Sequence, residues 1–134
     1  MNTIVTDTGF APDTWNGGYT SLATPVSGAA LDLPSDSDLQ TVMHSHPDYE
    51  MIRIDFPNSA DGRGFSLARS LRRNGYTGRL RARGHVLADQ YAMARRAGFD
   101  EVEIAPTLAA RQPENQWLFR ANWREHDYQS RLRG

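Results

Sequence analysis

The stretch DFPNSADGRGFSLARSLRRNGYTGRLRARGHVLADQ, residues 55–90, decides the fold. It opens on the end of an alternating run. Ile52, Ile54 and Phe56 point one way and Met51, Arg53 and Asp55 the other, which is the period of a β-strand over residues 50–56, closed by Pro57. After the polar turn Asn58 to Gly62, an apolar stripe of Phe65, Leu67, Ala68 and Leu71 faces away from Arg69, Arg72 and Arg73 and predicts a helix of about three turns. Gly75 supplies its left-handed stop and Tyr76 the closing contact. Leu80 and Ala82 then alternate with Arg79, Arg81 and Arg83 in a second strand, which Gly84 terminates. A second helix is expected from Val86 to Ala97. Its end, Arg95-Arg96-Ala97-Gly98-Phe99, echoes Arg72-Arg73-Asn74-Gly75-Tyr76 at a distance of 23 residues. A third strand, Val102 to Ile104, precedes Pro106. The expectation is an α/β domain with a β-α-β-α-β core, a mostly parallel sheet, flanking helices and right-handed crossovers.

Outward from this core the patterning weakens. Residues 1–34 hold short apolar pieces, Ile4-Val5, Phe10 and Leu31-Asp32-Leu33, which suggest one or two short strands around a long irregular connection at Asn16-Gly17-Gly18. Trp15 and Tyr19 are expected to fold back onto the core. Ser35, with Asp38 three residues on, is expected to cap a helix whose apolar face is Leu39, Val42, Met43 and His46, ended by Pro47. Residues 111–114 read as a loop, Trp117, Leu118, Phe119 and Trp123 as one more packed element, and residues 126–134 as a polar tail expected to fray. The chain is thus expected to be a single domain over residues 1–134: an irregular N-terminal segment at residues 1–34, an α/β core of about 35–106, and a C-terminal aromatic segment and tail at 107–134.

Composition narrows the chemistry. At 134 residues and 15.0 kDa the chain suits one core. No apolar run approaches the roughly 20 residues of a membrane span, and MNTIVTDTGF lacks the basic start and apolar block of a signal peptide. No membrane association and a cytoplasmic location are therefore expected. With no cysteine, the chain has no disulfide, no thiolate-ligated cluster and no redox thiol. All fifteen basic residues are arginine, which excludes lysine Schiff-base and pyridoxal-phosphate chemistry. Charge is polarised along the chain. Residues 1–50 hold seven acids and no base; Arg53 to Arg96 include ten arginines against Asp55, Asp61 and Asp89; residues 97–134 hold six acids and five arginines. The arginine block either forms a positive surface or pairs with the acidic N-terminal segment.

In a parallel sheet, binding residues collect after the carboxyl ends of strands. The first such loop carries Asp55, Asp61, Gly62, Arg63, Gly64 and Ser66, and the second Arg83, Gly84, His85, Asp89 and Gln90. Glycine turns, helix-start amides and arginines suit a small oxyanion, with Arg63, Arg81, Arg83 and His85 as the clamp. Asp55, His85 and Asp89 are the candidates for acid–base work. The plainer reading is equally open: Asp61 caps its helix, the glycines solve turn geometry, and Asp55 or Asp89 neutralises an arginine. Arg79, Arg81 and Arg83 leave one strand face that oil cannot cover, so it opens to water or lines a polar cleft. No metal site is expected: in His44-Ser45-His46 with Asp48, residues two apart on a helix diverge, and a core-packed His46 is favoured. Gly62-Arg63-Gly64 lacks the third glycine of a dinucleotide fingerprint, and a lysine-free chain cannot complete a phosphate loop. No cofactor is expected, although a flavin or nicotinamide in a non-standard site remains open. Nucleic acid is not expected, given the acidic first segment and the pI near 6.4.

Ile54-Asp55-Phe56-Pro57, the run Asp61 to Arg69, Leu71-Arg72, Gly75-Tyr76, Gly78, Leu80-Arg81-Ala82, Gly84, Val86-Leu87, Asp89-Gln90 and Gly98-Phe99-Asp100 closely resemble a bacterial family of unknown function. That family is encoded in sulfur-assimilation gene clusters, beside the gene for sirohaem sulfite reductase, and its members are commonly labelled as oxidoreductases of sulfite reduction. Ile4 to Trp15 also resembles the family's start. Arg79 stands where many members have Glu and His85 where many have Asp, which questions an acid-based role at either position. The resemblance implies a place in assimilatory sulfate reduction, either assisting sulfite reductase as a partner or handling a small oxyanion. It implies no established catalytic residue. Reaction, ligand and oligomeric state stay open at this point.

Overall fold

A computed structural model describes residues 2–23, 26–45 and 49–124. Within them lie strands β1 (Thr3–Thr6), β2 (Gly9–Ala11), β3 (Tyr19–Thr20), β4 (Ala30–Pro34), β5 (Met51–Phe56), β6 (Arg79–Gly84) and β7 (Glu101–Ile104). They form one sheet in the order β2-β1-β7-β6-β5-β4-β3. Strands β3 to β7 run parallel, whereas β1 is antiparallel to both β7 and β2. The helices are α1 (Leu39–Ser45), α2 (Arg63–Arg73), α3 (Tyr91–Ala97), α4 (Pro106–Arg111) and α5 (Glu114–Leu118), with a 3-10 turn at Ala88–Gln90 leading into α3. The α/β class, the mostly parallel sheet and the flanking helices are as the sequence predicts.

Because β4, β5, β6 and β7 are neighbours in chain order, right-handed crossovers step in one direction and leave every connecting helix on one face. The core bears this out. Leu31, Leu33, Ile52, Ile54, Phe56, Leu80, Ala82, Val102 and Ile104 from the sheet pack in one cluster with Leu67, Ala68, Leu71, Tyr91, Ala94, Leu108 and Trp117 from the helical layer. Phe56, Phe65 and Phe99 form its aromatic centre, with ring centroids 4.9, 5.8 and 6.4 Å apart. The opposite sheet face bears no helix among the described residues.

The repeated pentapeptide builds one device twice. Tyr76 N donates to Leu71 O at 3.0 Å and Phe99 N to Ala94 O at 3.1 Å, with Gly75 and Gly98 left-handed at φ +99° and +113°. Arg72 Nη1 then caps the Tyr76 carbonyl at 3.1 Å, and Arg95 Nη1 caps that of Phe99 at 2.6 Å.

Several local expectations need correction. The N-terminal segment contributes four strands rather than one or two, and β4 enters the parallel core with α1 as its crossover. Two of these strands are too short to show a period: β2 has three residues and β3 two. Ser35 does not cap α1. Its hydroxyl donates to Asp61 at 2.7 Å, and Asp38 caps instead, accepting from Thr41 N at 3.1 Å. The expected helix from Val86 is tighter at its start, because Gln90 Oε1 accepts the Leu87 amide at 2.9 Å and draws in a 3-10 turn. Pro106 opens α4, where a missing amide is harmless, so Arg111 is helical and the loop shrinks to Gln112-Pro113. His46, Pro47, Asp48 and the tail 126–134 lie outside the described residues.

Candidate functional site

Parallel register aligns strand residues of equal parity across the sheet. One row reads Asp32, Arg53, Arg81, Glu101 from β4 to β7, and the next contains Asp55, Arg83 and Glu103. Strands in a sheet lie about 4.8 Å apart, so each arginine in these rows comes within reach of a carboxylate in its own row or the next. Arg53 donates to Asp32 at 2.7 and 3.1 Å and to Glu103 at 3.0 Å. Arg79 grips both oxygens of Glu101 at 2.8 Å each. Arg81, with 0% side-chain exposure, donates to Glu101 at 2.6 Å, to Glu103 at 3.0 Å, to Asp13 at 3.0 and 3.1 Å, and to the Tyr19 hydroxyl at 3.0 Å. Asp13 and Tyr19 lie at either end of the irregular 14–18 segment, and the Tyr19 ring covers the Arg53 guanidinium with its centroid at 3.5 Å.

The helix-free face is therefore filled by a charge network in place of an apolar layer. Burial disfavours the charge on Arg81 and Arg53, yet the surrounding carboxylates outweigh it and raise both pKa values. Burial likewise pushes Glu103 upward, but the Asn2 amide at 2.7 Å and the guanidiniums of Arg53 and Arg81 hold it below the usual carboxylate range. Asp13 follows the same pattern through Arg81. Pairing with the acidic N-terminal segment is realised in part, through Asp13 and Asp32; Glu101 and Glu103 of the third segment supply the remaining carboxylates, and Arg69, Arg73 and Arg96 stay exposed.

The first strand-end loop is built around Asp61. Its carboxylate accepts from Arg63 Nε at 3.0 Å and Nη2 at 2.8 Å, from the Arg63 amide at 3.0 Å and from Ser35, bonds that hold it well below the usual range. Gly62 precedes α2 in ordinary helical geometry, and Gly64 is packed where a side chain would strike the Phe56 ring. Ser66 is exposed and lines an open groove of about 340 Å³ between α1 and α2, with Ser35, Ser37, Arg63 and Ser70.

The second loop lies beside it. Arg83 sits 3.7 Å from Asp55 and 3.7 Å from Glu103, with 41% of its side chain exposed. Gly84 adopts φ +108°, and a Cβ there would lie 2.6 Å from the Phe56 carbonyl. His85 is exposed, its Nδ1 3.2 Å from Pro57 O. Gln90 ties the loops together through Ser59 O at 2.7 Å, and Asp89 accepts from Arg120 at 3.2 Å. Asp55, Arg83, Gly84 and His85 thus meet at the carboxyl ends of β5 and β6, the position where open α/β sheets bind ligands. Asp61, Arg63 and Ser66 stand at the start of α2, Asp89 and Gln90 on the 3-10 turn, and Arg81 inside the charge network.

Asp13, Asp32, Arg53, Glu101, Glu103 and Gln112 were not among the expected site residues, and Tyr19, expected to fold back onto the core, covers the charge network instead. Strand alternation placed Arg53 and Asp32 opposite the apolar face, which was the signal available for them. Gln112 accepts the Ala88 amide at 2.8 Å, a contact across 24 residues with no local signature. His44 Nδ1 lies 2.7 Å from Gln40 O, and among the described residues no group of three His, Asp or Glu could hold a metal ion. No helix among them is long and apolar enough to cross a membrane.

The sequence profile described as a bacterial protein of unknown function (DUF934) matches residues 30–134. The chain belongs to this family. No curated protein matches it. The DUF934 match takes in both strand-end loops and Arg53, Arg81, Glu101 and Glu103, while Asp13 and Tyr19 precede it.

Proposed function

We propose that this DUF934 protein is an accessory component of bacterial assimilatory sulfite reduction that docks onto sirohaem sulfite reductase. The pathway rests on the resemblance of residues 54–100 to proteins encoded beside that enzyme. The docking role rests on how the arginines divide. Arg53, Arg79 and Arg81 are held by carboxylates of the chain, whereas Arg69, Arg73 and Arg96 are exposed with no carboxylate partner among the described residues. An internal oxyanion clamp needs open guanidinium donors, and Arg81 already meets three carboxylates and a phenol. Without cysteine, the chain also has no thiol with which to reduce sulfite.

The test is retention of sulfite reductase from the same bacterium on the immobilised protein, together with sulfite-reduction rates with and without it. Retention with an altered rate supports the reading; neither effect ends it. A second reading is favoured by Arg83, whose carboxylate neighbours at 3.7 Å leave its donors open to a small oxyanion beside His85. Titration calorimetry with sulfite decides that case. Heat in the wild type that Arg83→Ala abolishes supports it, and heat absent from both discards it.

A further inference from the structure

The helical layer has an outer surface whose composition differs from the rest of the described chain. Its exposed large apolar residues are Phe119 at 74%, Met93 at 45% and Leu118 at 40%; the remaining one among the described residues is Val26, at 59%. Met93 lies on the exposed face of α3 with Arg96, in line with Asp89 on the 3-10 turn that leads into it. The segment after α5 runs along that face, since Arg120 reaches Asp89 at 3.2 Å and Arg96 reaches the Trp123 carbonyl at 3.1 Å. Met93 is thereby flanked by the turn that displays Phe119. Trp117 anchors this turn from below, edge-on to Tyr91 at 6.2 Å between ring centroids. On the other side α2 packs against α3, with Arg72 donating to Gly98 O at 2.8 and 3.0 Å, and it carries Arg69 and Arg73 on its exposed face.

Charge identifies the occupant. Asp89 is engaged by Arg120 and Asp100 by Arg72, while Arg69, Arg73 and Arg96 keep their charge without a described carboxylate partner. Arginine around exposed Phe, Met and Leu is the residue set of protein-interface centres. A second copy apposed face to face would set these arginines against themselves, and a nucleic-acid backbone would leave Phe119 and Met93 without an apolar counterpart. We infer that the surface formed by Arg69, Arg73, Met93, Arg96 and Phe119 docks an acidic protein surface that receives Phe119 in an apolar pocket. This inference rests on the docking reading above, with sulfite reductase as the partner.

The experiment measures the Kd of full-length protein for sulfite reductase. The variants are Phe119→Ala, the pair Arg73→Glu with Arg96→Glu, and Val26→Ser as a control elsewhere on the surface. Circular dichroism and melting of each variant check the fold, which exposed positions leave intact. A loss of about tenfold or more in affinity is expected for Phe119→Ala and for the double reversal, with none for Val26→Ser. Wild-type affinity falls as salt rises. Wild-type binding that all variants retain overturns the surface assignment and leaves the docking reading standing. Absence of wild-type binding removes the docking reading and the inference together. Self-association by sedimentation, or retention on phosphatidylglycerol vesicles or RNA that the double reversal abolishes, assigns the face to another occupant and overturns the acidic-protein partner.

Discussion

Arg81 is the residue on which the interior turns. It has no solvent exposure and meets Asp13, Glu101 and Glu103, so removing it leaves Asp13 without a guanidinium and reduces the side-chain donors of Glu101 to Arg79 and those of Glu103 to Arg53 and Asn2 in a poorly hydrated layer. Arg81→Met is expected to cost roughly 3–5 kcal/mol in urea unfolding, whereas Arg69→Met on the exposed face of α2 should change stability by about 0.5 kcal/mol or less. Equal losses would refute the network's role in stability. Gly84 is a second such point, at φ +108° and with a would-be Cβ 2.6 Å from the Phe56 carbonyl. Gly84→Ala should cost about 1–3 kcal/mol, read as a lowered melting midpoint; an unchanged midpoint would mean that the turn relaxes freely. Arg81 was legible as an anomaly because alternation placed it on a non-apolar face. Its partners were not, since Glu101 lies 20 residues away and Asp13 lies 68 away.

Elements with a full period could be read directly. Strands β5 and β6 and helix α2 follow their alternation and stripe, and the two glycine stops recur because Arg72 and Arg95 cap equivalent carbonyls. Short elements could not, because two or three residues carry no period, and α4 hid behind a proline that served as its start. Helix α5 is tied to β2 by Glu114, which accepts the Phe10 amide at 2.8 Å, and to the core by Trp117. Trp117 is 1% exposed, packs on Tyr91 and donates through Nε1 to Gln112 O at 2.8 Å. Trp117→Ala should therefore cost about 3–5 kcal/mol and loosen the turn bearing Phe119. Hydrogen exchange should report that loosening as faster amide exchange in residues 114–124. Protection there unchanged from wild type would show that the segment is held by other contacts.

For the whole molecule, the layered fold and the polarised chain are two aspects of one arrangement: one sheet face takes the helices and the apolar residues, the other the ion pairs. This has a pH consequence. The carboxyls of Asp13 and Glu103 are held low by their guanidinium and amide partners, and Asp7 by Tyr91, Trp123 and Arg95, in each case against burial; Asp61 is held low by Arg63 and Ser35. Their folded pKa values lie below the unfolded ones of about 4, so the unfolded chain binds more protons in acid. The stability they contribute is complete above the unfolded values and is lost as pH falls through the folded ones. The melting midpoint should hold from about pH 7 to 5 and drop below about pH 4, with a shallower drop in Glu103→Gln; a midpoint indifferent to acid would contradict this linkage. On the alkaline side Tyr91, buried and donating to Asp7 at 2.5 Å, has a raised pKa, so the stability it contributes is present below the unfolded tyrosine value of about 10 and is lost above it. The sequence by itself determined the succession of strands and helices, the α/β class and the place of the strand-end loops, because alternation, helical stripes and glycine stops are local properties of the chain. Only the tertiary structure decided which carboxylates meet which arginines, that the helices share one face, and which arginines remain outside. Those depend on the register of strands distant in sequence, and register is set by the packing of the whole sheet.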